Sequence, residues 1–133
     1  MKAIWYHSPV LHGSKIGRTL GYPTLNLNAG VLPENTEPGV YAAQVKIDCD
    51  NPNAVLRGAL FFGPRLIFNE TTNVLEIYLL DFAKEVYNQN ASFKLMEFIR
   101  PPLPFTSQSD LRAQIDQDIL AVTAALKDNQ TQI

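Results

Sequence analysis

Hydrophobic and polar residues alternate along several short segments in the first hundred residues of the chain. Two-residue alternation is typical of β-strands with one buried face, and clusters of Asn, Asp, Gly and Pro are typical of the turns between them. We predict about six strands, at residues 2–11, 24–27, 39–47, 55–62, 74–82 and 91–99. Short strands at near-regular spacing predict an antiparallel barrel or sandwich. In the last strand, alternation places Phe93, Leu95 and Glu97 on one face.

The period of the pattern changes in the last third of the chain. Ser107 can cap a helix whose first turn contains Asp110. Apolar residues then recur at steps of three and four, at Leu111, Ile115, Ile119, Val122 and Leu126. We predict an amphipathic helix over about residues 107–128, packed as a lid on a sheet formed by about residues 1–100.

The composition indicates one folded domain. The 133 residues are 46% hydrophobic, carry a formal charge of −2 and include a single cysteine, Cys49. A chain of this length forms one core without disulfides, its charge disfavours nucleic acid as a partner, and a lone cysteine fits a reducing compartment. The sequence has neither a signal segment nor an apolar run of membrane-spanning length. We expect a soluble cytoplasmic monomer that binds neither a membrane nor nucleic acid.

A glycine-rich stretch with two cations precedes the second predicted strand. Glycine lets backbone N–H groups turn toward an anion, and the oxygens of Thr24 and Asn26, which project from one face of the strand, suit Mg²⁺. We interpret the stretch as a phosphate-binding loop followed by metal ligands; the alternative is a structural connector. The residues assigned to the nucleotide and its phosphates are Gly13, Lys15, Gly17, Arg18, Gly21, Pro23, Thr24 and Asn26, of which Thr24 and Asn26 are also assigned to the metal.

Glu76 stands out because it interrupts an apolar strand. Alternation places Glu76 and Tyr78 on one face, and Leu75, Ile77 and Leu79 on the other. A carboxylate in such a run costs free energy unless it is paired, hydrogen-bonded or facing a wet cavity. Two interpretations stay open: an outward-facing glutamate on a half-exposed strand, or a candidate general base that faces a pocket.

Several segments together resemble the riboflavin kinase family. The run H-G-S-K-I-G-R-T-L-G-Y-P-T-L-N at residues 12–26 is similar to the family's glycine-rich Arg-x-Leu-Gly-x-Pro-Thr-Ala-Asn signature. The run L-E-I-Y-L-L-D-F at residues 75–82, followed by Tyr87, is similar to the family's Glu-x-His-x-Leu-Asp-Phe segment and its later Tyr. Further matches are Gly39-Val40-Tyr41 and, toward the C-terminus, F-I-R, Phe105 and L-R-A-Q-I-D-Q-D. The resemblance therefore covers nearly the whole chain.

The resemblance implies one domain over residues 1–133, a six-stranded Greek-key barrel with a C-terminal helix, which transfers the γ-phosphate of ATP to the 5′-hydroxyl of riboflavin. The products would be FMN and ADP, and the cofactor Mg²⁺ or another divalent cation. Glu76, at the position of the family's catalytic glutamate, would take the hydroxyl proton, and Thr24 and Asn26 would hold Mg²⁺ and the phosphates. Arg100, Phe105 and Leu111 would bind the flavin.

The sequence departs from the family pattern at several positions. Leu25 replaces the Ala between Thr and Asn, and Ser8-Pro9 stands where the family often has Gly. In residues 61–68, Phe61 replaces an Asn and Leu66-Ile67 replace a Pro-Thr pair. These changes leave open a flavin- or nucleotide-binding module with impaired turnover, or a kinase for another polyol. Bacterial members usually carry an adenylyltransferase domain that this sequence does not include, so we expect it to make FMN but not FAD.

Overall fold

The computed structural model describes residues 4–11, 24–48, 54–64, 72–80, 89–104 and 107–130. Its elements are β1 (Trp5–Pro9), β2 (Thr24–Leu27), a 3₁₀ turn (Ala29–Val31), β3 (Gly39–Ile47), β4 (Leu56–Gly63), β5 (Val74–Leu79), β6 (Asn90–Arg100) and α1 (Gln108–Gln130). The six predicted strands and the C-terminal helix are confirmed. In the part of the chain described, no helix combines the length and the apolar character needed to span a membrane.

All six strands form one antiparallel sheet in the order β1-β6-β3-β4-β5-β2. Strands β3, β4 and β5 follow one another as a meander, and β6 returns to pair with β3, which is the Greek-key arrangement. The sheet curls until its two edges approach each other. There the backbone N–H of Leu11 donates to the carbonyl of Asn26 at 2.7 Å. The predicted Greek-key barrel topology is confirmed.

The sheet is apolar on both faces, and each face supports its own core. The inner face, enclosed by the curl, is lined by a large cluster that includes Leu25, Leu60, Leu75, Ile77 and Phe93. The outer face carries a smaller cluster against which α1 packs. Its buried members are Ala42, Ala59, Tyr78, Ile115, Val122, Ala125 and Leu126. The predicted packing of the helix on the sheet is confirmed, with the small side chains of Ala42 and Ala59 leaving room for the helix.

One prediction about β6 is wrong. Leu95 lies opposite Ala43, whereas Glu97 lies opposite Ala42, with a shift of register between the two pairs. The extra residue, Met96, forms a β-bulge, and a bulge reverses the alternation for the residues that follow it. Glu97 therefore shares the outer face with Ala42 and is exposed, and does not share a face with Phe93 and Leu95.

The start of β3 depends on a glycine. Gly39 has a φ of +152°, which side-chain-bearing residues rarely adopt. A Cβ at this position would overlap the carbonyl oxygen of Arg100 and would lie 2.6 Å from the ring of Phe98. The close approach of β3 and β6 at the second register shift, between Val40 and Tyr41, therefore requires glycine.

We predict that Gly39→Ala lowers the free energy of unfolding by about 2 kcal/mol or more, because the added methyl group forces two paired strands apart. Urea denaturation of the purified protein measures the change. Gly30→Ala is the control, since its Cβ would meet only the flexible side-chain oxygen of Asn28, at 3.1 Å. Equal losses for both variants would contradict the prediction.

Candidate active site

The candidate site lies on the outer face of the sheet, where β2 pairs with β5. Glu76 lies opposite Asn26 on one side and opposite Phe61 of β4 on the other. Cross-strand partners point to the same face with Cβ atoms about 5 Å apart, so an amide and an aromatic ring flank the carboxylate. Glu76 is only 2% exposed. Glu76 thus lies on the outer face, but it is buried there, so the interpretation that it stands on a half-exposed strand is wrong.

The neighbouring row of the same face contains Thr24 and Tyr78, which also lie opposite each other. The Tyr78 hydroxyl donates to Oε2 of Glu76 at 3.4 Å, and both side chains are buried. The predicted faces of both strands are confirmed, with Thr24 and Asn26 on one face of β2 and Glu76 and Tyr78 on the matching face of β5.

Burial of the alternate residues forces this arrangement. Leu25 and Leu27 of β2 are 1% and 4% exposed, and Leu75 and Ile77 of β5 are 1% and 0% exposed, all in the inner cluster. Because alternate side chains of a strand point to opposite faces, filling the inner face with these residues directs the polar residues outward. Leu25, a departure from the family pattern, points into the core.

The oxygens gathered here suit a hard cation and a hydroxyl substrate. Thr24 offers a hydroxyl and Asn26 an amide oxygen, and Mg²⁺ commonly takes one or two protein oxygens while substrate phosphates and water complete its shell. No group of three or more His, Cys, Asp or Glu side chains in the described segments could hold a metal by itself. The residues present therefore fit a cation that is shared with phosphates.

A buried serine, Ser8, fixes the chain just after β2. The sequence did not indicate this structural role. Ser8 is 3% exposed, and its hydroxyl accepts the backbone N–H of Asn28 at 2.9 Å and donates to the carbonyl of Pro9 at 2.8 Å. Asn28 in turn caps the 3₁₀ turn: its side-chain oxygen accepts the backbone N–H of Gly30 at 2.9 Å. The departure Ser8-Pro9 thus supplies a tie between β1 and the end of the strand that carries Asn26.

Arg100, predicted to bind flavin, is held by the helix. Its Nε and Nη2 donate to the two carboxylate oxygens of Asp118 at 2.8 and 2.7 Å, and Gln114 donates to the same carboxylate at 3.0 Å. The side chains of Arg100 and Asp118 are 15% and 4% exposed. The ion pair between Arg100 and Asp118 was missed in the sequence analysis. The feature that could have indicated it is that Gln114 and Asp118 are polar and lie one turn apart beside the apolar stripe of α1.

The first turn of α1 agrees with prediction. The Ser107 hydroxyl accepts the backbone N–H of Asp110 at 3.1 Å, as a helix cap does, and Leu111 packs at the border of the outer cluster. The other predicted site residues lie outside the described residues. They are Gly13, Lys15, Gly17, Arg18, Gly21, Pro23 and Phe105.

Comparisons with known proteins agree on one family. A family model described as flavokinase, riboflavin kinase, matches residues 2–126. The bifunctional riboflavin kinase/FMN adenylyltransferase of Haemophilus influenzae is 34% identical over 112 residues, which cover 83% of this chain and 34% of that protein. The protein of the same description from Listeria monocytogenes is 33% identical over 123 residues, covering 90% of this chain and 38% of the relative. The chain thus spans about a third of the length of these curated relatives.

Two solved structures share the fold. A Streptococcus pneumoniae protein described as a macrolide-efflux protein matches with a TM-score of 0.74 and 26% identity, over 91% of this chain and 38% of that one. The riboflavin kinase of Trypanosoma brucei matches with a TM-score of 0.61 and 20% identity, over 96% of this chain and 82% of that one.

We predict that Arg100→Met lowers the free energy of unfolding by about 3 kcal/mol, because it leaves the buried Asp118 carboxylate without its guanidinium partner. Urea denaturation measures the loss. The double variant Arg100→Met/Asp118→Leu should recover most of it, since two apolar side chains can replace a buried ion pair. A single variant as stable as the wild type would show that the pair does not hold the helix.

Proposed function

The chain belongs to the riboflavin kinase family, and on that premise we propose that it transfers the γ-phosphate of ATP to the 5′-hydroxyl of riboflavin, giving FMN and ADP. We propose that residues 1–133 act as a single domain, with the barrel over about residues 1–100 and the helix over about 107–128. The observation that carries the proposal is the pairing of β2 with β5, which sets Asn26 beside Glu76 and Thr24 beside Tyr78 on one face.

Glu76 is proposed as the general base that takes the proton of the 5′-hydroxyl as its oxygen attacks the γ-phosphorus. Burial in the sheet favours a fixed position for the carboxylate, which a general base needs. Phosphoryl transfer depends mainly on positioning and on neutralising phosphate charge, so a base contributes a limited share, typically about 10²–10⁴-fold.

Thr24 and Asn26 are proposed to hold Mg²⁺ and the phosphates through their side-chain oxygens. When bound, Mg²⁺ neutralises charge on the phosphates of ATP. The neighbouring loop is proposed to bind the phosphates through backbone N–H groups and two cations. Its residues are Gly13, Lys15, Gly17, Arg18, Gly21 and Pro23.

The flavin is proposed to lie near the start of α1, against Arg100, Phe105 and Leu111. Arg100 ends β6 and is fixed by Asp118, and Leu111 borders the outer cluster, so both belong to the outer face that carries Glu76. By this proposal Asp118 orients the guanidinium, and the helix presents an apolar edge to the ring system.

We also propose that the chain acts as a monomer in the cytoplasm. The outer face of the sheet is covered by the chain's own helix, and the large exposed hydrophobic residues are scattered over the described segments. They are Ile4, Leu11, Val55, Leu103 and Leu120. Scattered apolar residues are normal on a monomer surface, and the lone Cys49 fits a reducing compartment.

We predict that the purified protein forms FMN from riboflavin, ATP and Mg²⁺, and that Glu76→Gln loses about 10²–10⁴-fold in turnover because the amide cannot accept the hydroxyl proton. Chromatography of the flavins measures FMN. Glu97→Gln is the matched control, since Glu97 is an exposed glutamate on the same face and should retain full activity. Riboflavin binding without any FMN from the wild type would refute the kinase proposal, and unchanged turnover in Glu76→Gln would remove Glu76 as the base.

We predict that Thr24→Ala weakens nucleotide binding only in the presence of Mg²⁺, because the lost hydroxyl acts through the cation. Calorimetric titration of the variant and the wild type with ADP, with Mg²⁺ and then with EDTA, measures the difference. Thr123→Ala is a suitable control, since its hydroxyl donates within the helix, to the carbonyl of Ile119 at 2.7 Å. An equal loss of affinity in EDTA would argue against a metal role for Thr24.

A further inference from the structure

Tyr78 has a buried side chain with a polar hydroxyl on the outer face of the sheet. The proposed reaction assigns no role to this hydroxyl. Tyr78 lies two residues after Glu76 on β5, is 8% exposed, and donates its hydroxyl to Oε2 of Glu76 at 3.4 Å. A buried phenol hydroxyl loses its hydrogen bonds to water, and the bond to Glu76 offsets part of that cost.

The position of the Tyr78 ring is set by packing. Its backbone lies opposite Ala59 of β4 on one side and opposite Thr24 of β2 on the other. The ring belongs to the outer cluster with Val122 and Leu126 of α1. Ala59 leaves space on the sheet beside the ring. Packing in the outer cluster therefore restricts where the hydroxyl can point.

We propose that Tyr78 is a positioning residue for Glu76. Its hydroxyl, held by the helix-packed ring, restricts rotation of the carboxylate and so determines how the carboxylate is presented to the substrate hydroxyl. The inference rests on the proposed kinase function, and it makes the docking of α1 part of the active site: the helix acts on the base through Tyr78.

The two cross-strand neighbours of Glu76 differ from Tyr78 in their chemistry. Phe61, opposite Glu76 on β4, has no polar atom in its side chain, and Asn26, opposite on β2, is assigned to the cation and phosphates. The 3.4 Å separation is near the outer limit for a hydrogen bond. Catalytic hydrogen bonds are often long before the substrate binds and shorten in the reacting complex.

The test is Tyr78→Phe, which keeps the ring in the outer cluster and removes only the hydroxyl. We expect kcat to fall about 10-fold, with KM for riboflavin and ATP changed by less than about 2-fold, because the bond acts on the base and not on substrate binding. A role in packing alone would leave kcat unchanged. Tyr41→Phe is the matched control: its hydroxyl is also in a largely buried side chain, donating to the carbonyl of Glu37 at 2.5 Å, but it lies in the inner cluster and should leave kcat unchanged.

A second measurement needs no activity. The unfolding midpoints of Tyr78→Phe, Glu76→Met and the double variant form a double-mutant cycle. Loss of the hydroxyl should lower the midpoint more in the wild-type background than in Glu76→Met, where the carboxylate that accepts this hydrogen bond is absent. Additive shifts would overturn the bond between Tyr78 and Glu76.

The two measurements separate failure of this inference from failure of the proposed function. Active wild type with unchanged kcat in Tyr78→Phe would overturn the positioning role while the kinase function stands. A wild type that forms no FMN would refute the proposed function and, with it, any role for Tyr78 in catalysis. The unfolding cycle would then still decide whether Tyr78 holds Glu76.

Discussion

The burial of alternate residues in β2 and β5 is the constraint on which the rest of the structure depends. Leu25, Leu75 and Ile77 fill the inner core, and each is at most 1% exposed. A slip of one residue in either strand would put these side chains on the wrong face, so burial of the core opposes such a slip. That register alone sets Asn26 opposite Glu76.

The helix packs on the outer face of the sheet and buries part of it in a second hydrophobic cluster. The small side chains of Ala42 and Ala59 let α1 pack close to the sheet. Arg100 holds the helix through two hydrogen bonds to the carboxylate of Asp118. Tyr78 lies in this layer and contacts Glu76. The position of Glu76 therefore depends on two layers. The inner core fixes the strand that carries it, and Tyr78, a member of the outer cluster, donates a hydrogen bond to its carboxylate.

Two departures from the family pattern acquire a physical meaning in the structure. Ser8 is buried and binds the backbone N–H of Asn28, which anchors the chain beside the end of β2. Phe61 lies directly opposite Glu76 in the register of β4 and β5. An aromatic ring in that place adds apolar surroundings to the carboxylate, so this substitution affects the proposed base itself and not a distant loop.

The sequence by itself determined the elements, the faces of β2 and β5, the cap at Ser107 and the choice of Glu76, because alternation and capping are local properties of the chain. Only the tertiary structure decided the register that pairs Glu76 with Asn26 and Phe61, and the partnership of Arg100 with Asp118. It also reversed the predicted face of Glu97, because the bulge at Met96 shifts the residues that follow it to the opposite face. These features depend on contacts between residues far apart in the chain, which a local pattern does not encode.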